Sequence, residues 1–280
     1  VSFDTLLTYG WVIAVAFVWL ALSIGSFLNV VIYRLPVMLT RNWEDQAREV
    51  LDVPAESAAP AFNLLVPRSR CGSCGAAINA WQNIPIVSWL LLRGRCNSCA
   101  APISVRYPMV EGLTAIVSIV VIAKFGYTWT GLAALVFTWA LIALAFIDLD
   151  TKLLPDDLTL PLLWFGLAMN LGGTFTDLPA AVIGAIAGYL VLWSIYWVFK
   201  LLTGKEGMGY GDFKLLAAFG AWFGWQALPA LVLISSVAGV ILGGAWLAVR
   251  RSREAIPFGP FLAVAGWVML IWRDTVIAVF

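Results

Sequence analysis

From Thr5 to Tyr33 the chain carries no charged residue. About 20 apolar residues suffice for a helix to cross a ~30 Å hydrocarbon core, so this run reads as a spanning helix. No positively charged region precedes it and it is too long for the apolar core of a signal peptide, which marks it as a retained span. Further uncharged runs follow at Gly112 to Ala123, Phe125 to Ile147, Leu158 to Thr176, Leu178 to Phe199, Leu215 to Val249 and Ile256 to Trp272. The chain is 62% hydrophobic and 12% charged, against roughly 45–50% and about 25% for a soluble domain. It is therefore expected to be an all-α polytopic membrane protein.

Leu215 to Val249 is too long for one crossing, because a straight helix of that length would measure about 50 Å. Lys214 stands at one end and Arg250, Arg251 and Arg253 at the other. Two crossings, with a break near Gly224-Trp225-Gln226 and Pro229, put both basic ends on one side. This predicts about eight transmembrane helices with both termini outside the cytoplasm. Fifteen of the seventeen Lys and Arg residues then face inward, leaving Lys124 and Arg273 outside. The expected organisation is a first transmembrane helix at 1–33, a cytoplasmic loop at 34–106, and transmembrane helices 2–8 at 107–280. Asn42 to Pro60 within the loop is acidic and Ala-rich without apolar periodicity, and reads as a partly helical or mobile insertion.

The same loop contains a short unit twice, "RSRCGSCGAAIN" from Arg68 and "RGRCNSCAAPIS" from Arg93. Each Cys-x2-Cys forms a tight turn that aims two sulfurs at one point. Together Cys71, Cys74, Cys96 and Cys99 complete a tetrahedron for zinc. Two disulfides are the alternative, disfavoured because a cytosolic loop is kept reduced. Four thiolates leave no open coordination position, so the expected Zn2+ is structural. The intervening "INAWQNIPIVSWLLL" is too short to span, and is expected to pack on the zinc module or lie on the membrane surface.

Histidine is absent, which removes Ser-His-Asp and Cys-His schemes and any imidazole base. Carboxylates remain. Asp148 ends one uncharged run and Asp212 immediately precedes another inward-starting one, so two aspartates lie at the same depth on different helices. Two facing carboxyls next to hydrocarbon can share one proton, the arrangement of an aspartic protease dyad. Asp150 is the rival for the first position. Asp156 or Asp157, after Pro155, is expected to cap the next helix. Gly207, Gly209 and Gly211 lack Cβ atoms, so the backbone before Asp212 can approach an extended substrate closely.

"GMGYGDFK" (Gly207 to Lys214) with "FIDLDTKLLPD" resembles the paired signature of the GxGD membrane aspartic proteases. "GSFLNVVIYRLP", the tetracysteine loop, "RYPMVE" (Arg106 to Glu111) and "FGPFLA" (Phe258 to Ala263) extend the resemblance over nearly the whole chain, to the bacterial type IV prepilin peptidases, or prepilin leader peptidase/N-methyltransferases. The resemblance implies Asp148 and Asp212 as the catalytic pair. It implies cleavage of the basic leader of type IV prepilins and pseudopilins after a glycine, at the cytoplasmic face of the inner membrane. It further implies methylation of the new amino terminus, usually phenylalanine, from S-adenosylmethionine. The expected partners are these substrates and the lipid bilayer, with no nucleic acid. An ion-coupled transporter using the same aspartates, and a scaffold pairing them with Lys152 and Lys214, are the competing classes.

Overall fold

The computed structural model describes residues 3–53, 61–244 and 257–279, which form two compact units, 1–123 and 124–280. The basic cluster Arg250, Arg251 and Arg253 and the latter part of the acidic insertion lie outside the described residues.

In the first unit, α1 (Phe3–Val50) continues well beyond the charge boundary at Arg34 and contains Pro36. Leu, Met, Arg, Glu, Gln and Ala dominate its last turns, and their helix propensity carries the helix on where the apolar run has stopped. Half of the acidic insertion is therefore helical. Arg34 is buried at this boundary and donates to the carbonyls of Asn63 (2.8 Å) and Pro67 (2.6 Å), while the Phe62 ring lies under Arg41. Beyond the cysteine segment, with its short α2 (Val87–Leu91), α3 (Arg106–Phe125) lies against α1. At Gly25 the helices touch so closely that a Cβ would lie 2.7 Å from the Glu111 Cα, and Asn29 donates to the Tyr107 carbonyl at 3.1 Å.

The second unit comprises α4 (Trp129–Thr151), α5 (Asp156–Met169), α6 (Leu178–Thr203), α7 (Tyr210–Phe223), α8 (Leu228–Ala238) and α9 (Gly259–Ile277). The expected break in the long apolar run is present. Gly224, at φ +84°, stops α7, a 3-10 turn follows at Trp225–Ala227, and α8 opens with Pro229 in its first turn. α7 is buried along almost all of its length, and its Phe219, Trp222 and Phe223 form the aromatic core with Phe137 of α4. Glycines bring α6 against it: a Cβ on Gly220 would lie 2.0 Å from the Gly184 carbonyl oxygen, and one on Gly188 would lie 2.6 Å from that of Leu216. On its other side the Trp222 indole donates to the Leu162 carbonyl of α5 at 2.8 Å.

Among the described residues, six helical segments are long and apolar enough to cross a membrane: Gly10–Val50, Arg106–Phe125, Trp129–Thr151, Leu178–Thr203, Trp225–Gly243 and Gly259–Ile277. The two other apolar runs became α5 and α7, of 14 residues each, or about 21 Å, short of a ~30 Å core. Eight spans is thus an approximate count. The chain is an all-helical, multi-pass membrane protein.

Candidate active site

Asp148 lies in the last turn of α4, where the helix ends at Lys152 in the left-handed conformation (φ +56°) and the Lys152 amide donates back to the Asp148 carbonyl at 2.9 Å. The residue is 5% exposed, and its Oδ2 accepts the Gly259 N–H at 2.9 Å. Gly259 is the first residue of α9, followed by Pro260, so the α4 carboxylate meets the unsatisfied amides of a helix start. Any side chain here would collide: a Cβ on Gly259 would lie 2.6 Å from Asp148 Oδ2 and 3.0 Å from Leu154 Cδ2.

Asp212 occupies the first turn of α7, 7% exposed, with Gly209 in the cap position. Its Oδ1 is buried without a hydrogen-bond partner. Leu154 joins the two aspartates' surroundings, because a Cβ on Gly211 would lie 2.6 Å from Leu154 Cβ. Of the three glycines before Asp212, Gly211 accommodates Leu154 and Gly207 the Phe199 ring, at 2.9 Å from an added Cβ. Gly209 alone borders the Asp212 carboxylate without crowding, since a Cβ added there would lie 3.8 Å from Oδ2.

The other acids of this region are occupied differently. Asp150 is exposed. Asp156 accepts the Lys214 ammonium on both carboxylate oxygens, each at 2.7 Å, and fastens α5 to α7. Neither Asp156 nor Asp157 caps α5 as expected: Pro155 holds that position without a side-chain hydrogen bond, because Asp156 turns to Lys214 instead. Glu206 pairs with Lys200 at 2.8 Å, and that ammonium holds its carboxyl below the usual carboxylate range. Lys214 therefore pairs with Asp156 and not with Asp148 or Asp212. Among the described residues neither of those two carboxylates forms an ion pair.

Nothing in the sequence around Gly259 marks it as a partner of Asp148. "FGPF" carried a readable signal, a proline suited to the first turn of a helix, but no sequence pattern tells which side chain that helix start will meet.

In the first unit, the two Cys-x2-Cys turns fold alike. The Cys71 amide donates to the Ala76 carbonyl (2.9 Å) and the Gly75 amide back to Cys71 (2.9 Å); Cys96 with Ala101 (2.8 Å) and Ala100 with Cys96 (2.9 Å) repeat the pattern. Isolated bridges, Arg70 with Ala77 and Arg95 with Pro102, close each turn. The cysteines are free and their four sulfurs lie within 4.8 Å of one another, Cys71 and Cys99 at 3.8 Å. Tetrahedral thiolates ~2.3 Å from zinc would stand about 3.8 Å apart, so the donor set fits that ion. Backbone amides of Cys74 and Ser73 pull the Cys71 thiol down to about 6. The Ala101 amide pulls Cys99 the same way, yet the crowding by Cys74, together with burial and the Cys96 and Cys71 thiols, pushes it up to about 12. Sulfurs so disposed want a shared cation. The segment between the turns packs on this module: the Trp89 indole donates to the Ile103 carbonyl at 3.2 Å.

Comparison with known proteins agrees with this division. The model of the Bacterial Peptidase A24 N-terminal domain matches residues 19–125, and that of the Type IV leader peptidase family matches residues 135–244. Curated relatives named prepilin leader peptidase/N-methyltransferase include those of Stutzerimonas stutzeri (56% identical, covering 92% of this chain and 90% of the relative), Aeromonas hydrophila (57%, 91% and 89%) and Pseudomonas aeruginosa (51%, 92% and 89%). No solved structure matches the chain.

Proposed function

Because this chain belongs to the type IV leader peptidase family, we propose that it removes the leader of type IV prepilins and pseudopilins, after a glycine, through an Asp148–Asp212 dyad. In keeping with the N-methyltransferase in its relatives' names, the peptidase is joined to a methyltransferase activity, and the new amino terminus is its proposed target. The observation that carries the site assignment is a pair of buried carboxyls from two helices, with no cation partner among the described residues and one oxygen left without a hydrogen bond.

The chemistry follows from the inequality of the two surroundings. Asp148, receiving the Gly259 N–H, is the member suited to act as the carboxylate base that takes a proton from water. Asp212, with its unpartnered Oδ1, is the member suited to hold the shared proton and donate it to the carbonyl oxygen of the scissile peptide. The resulting hydroxide equivalent attacks the carbonyl carbon, and the leaving amine becomes the new amino terminus. Neither thiol nor imidazole is needed.

Cys71, Cys74, Cys96 and Cys99 would hold one Zn2+ as a closed structural centre that shapes the loop and supplies no chemistry. S-adenosylmethionine is the proposed methyl source, in keeping with the methyltransferase named for the relatives. The protein is placed in the bacterial inner membrane with the dyad facing the cytoplasm, a reading supported by Lys152, Lys200 and Lys214, which flank the dyad ends of α4, α6 and α7. No observation favours the transporter.

The test is cleavage of a purified prepilin in detergent by wild type, Asp148→Asn, Asp150→Asn and Asp212→Asn, read by mass spectrometry with and without S-adenosylmethionine. Loss of cleavage in the first and third variants only, with a methyl-mass increase on the wild-type product, is expected. Cleavage surviving in Asp148→Asn or Asp212→Asn removes the dyad.

A further inference from the structure

The first unit holds a buried carboxyl for which cleavage has no use. Glu111, in the second turn of α3, is 7% exposed. Its Oε2 accepts the Ile86 N–H at 2.7 Å, and the Ser26 side chain lies next to it. Ile86 makes its contact from φ +58°, ψ −49°, a conformation that a β-branched residue adopts only when its surroundings impose it. Strain of this kind gathers where backbone groups are held in place for function.

A cleft of about 290 Å³ lies beside the loop that Glu111 holds, lined by Ser23, Ser26, Phe27, Val30, Asn83 and Pro85, with Glu111 behind its wall. Ser26 belongs to the cleft wall and neighbours Glu111, and Pro85 directly precedes Ile86. A tie between loop and helix requires only a neutral acceptor, which glutamine would supply. A carboxylate instead brings a charge, and no Lys or Arg among the described residues pairs with it. Its missing complement is a cation, and the hydroxyls and apolar faces beside it suit a protonated amine on a hydrophobic residue.

We propose that this cleft receives the amino terminus of the processed pilin chain and that Glu111 is the carboxylate that binds its ammonium and accepts its proton before methyl transfer. The inference rests on the leader peptidase and N-methyltransferase reading above and locates its second activity within residues 19–125, apart from the segment that carries the dyad. The ammonium first gives one proton to the Glu111 carboxylate. The freed nitrogen lone pair then attacks the methyl carbon of a sulfonium donor: the C–N bond forms as the C–S bond breaks, and the sulfur keeps the bonding pair as a neutral thioether. The product is a methylammonium. With histidine absent from the chain, a carboxylate is the natural base for this step.

The experiment compares wild type, Glu111→Gln and Ser26→Ala in detergent. Binding is measured without any methyl donor, using a synthetic peptide of the mature pilin amino terminus with either a free or an acetylated α-amine. Cleavage, methyl transfer and bound zinc are followed in parallel. Wild type should prefer the free amine by about tenfold. Glu111→Gln should abolish that preference and slow methyl transfer by ~100-fold relative to cleavage, and Ser26→Ala should weaken the preference. Unchanged preference or unchanged methylation in Glu111→Gln overturns the proposal. Should Glu111→Gln lose zinc and cleavage together, Ser26→Ala decides, since an unaltered preference there also overturns it. Failure of wild type to cleave or methylate at all would instead strike the underlying functional reading.

Discussion

Asp148 and Asp212 are the same side chain in unequal surroundings, one receiving a helix-start N–H and the other left with an unpartnered oxygen. A hydrogen bond to a charged group contributes about 1.5–3 kcal/mol, and a Cβ on Gly259 would displace it. Gly259→Ala is therefore expected to lower prepilin cleavage by roughly 10–100-fold, at 1.4 kcal/mol per tenfold; a wild-type rate in a detergent assay would show that the contact is idle. Asp150→Asn should retain cleavage, because its side chain is exposed beside a buried neighbour. The positions of both buried aspartates were legible as charges at the ends of apolar runs. Their inequality was not, because Gly259 lies 111 residues beyond Asp148 and meets it only through the fold.

The duplicated cysteine turn is the element most fully readable beforehand, since its hydrogen bonds are local and the spacing alone aims the sulfurs. One zinc per chain is expected by metal analysis, and Cys71→Ser should lose it and expose the segment between the turns to limited proteolysis. Acid should release the metal, because protons compete for the thiolates, and the release can be followed with a colorimetric chelator. The repeats differ at one corner: Gly75 has φ +70° where Ala100 has φ +57°. Relieving an L-residue of that conformation is worth about 1–2 kcal/mol, so Ala100→Gly should make the loop more resistant to protease. The contact of α6 with α7 was less readable. Gly184 and Gly188 form a small-x3-small pattern, but Gly220 as its partner follows from packing. Overpacking typically costs about 1–3 kcal/mol, and backbone faces backbone here, so Gly220→Val should lower the thermal unfolding temperature by at least several degrees.

Hydropathy reports that a residue avoids water, without saying whether lipid or protein covers it. α7 illustrates the ambiguity: its apolar residues read as half of a membrane crossing, yet they are buried within the second unit, where α5, α6 and α9 surround them. The distribution of basic residues still predicts that the cysteine loop and the proposed dyad both face the cytoplasm. Protease added to inverted vesicles should cut near Arg68 to Arg70, and intact spheroplasts should protect the same site; the opposite pattern would reverse the orientation. From the order of residues alone came the membrane habitat, the helical class, the break at Gly224, the cysteine cluster and the two aspartates, because each depends on composition or on neighbours close in the chain. Tertiary structure alone decided that Lys214 pairs with Asp156, that Gly259 holds Asp148 and that Glu111 is buried beneath the loop at Ile86. Each of these is a meeting of distant or competing groups, settled by which partner the packed helices bring within reach.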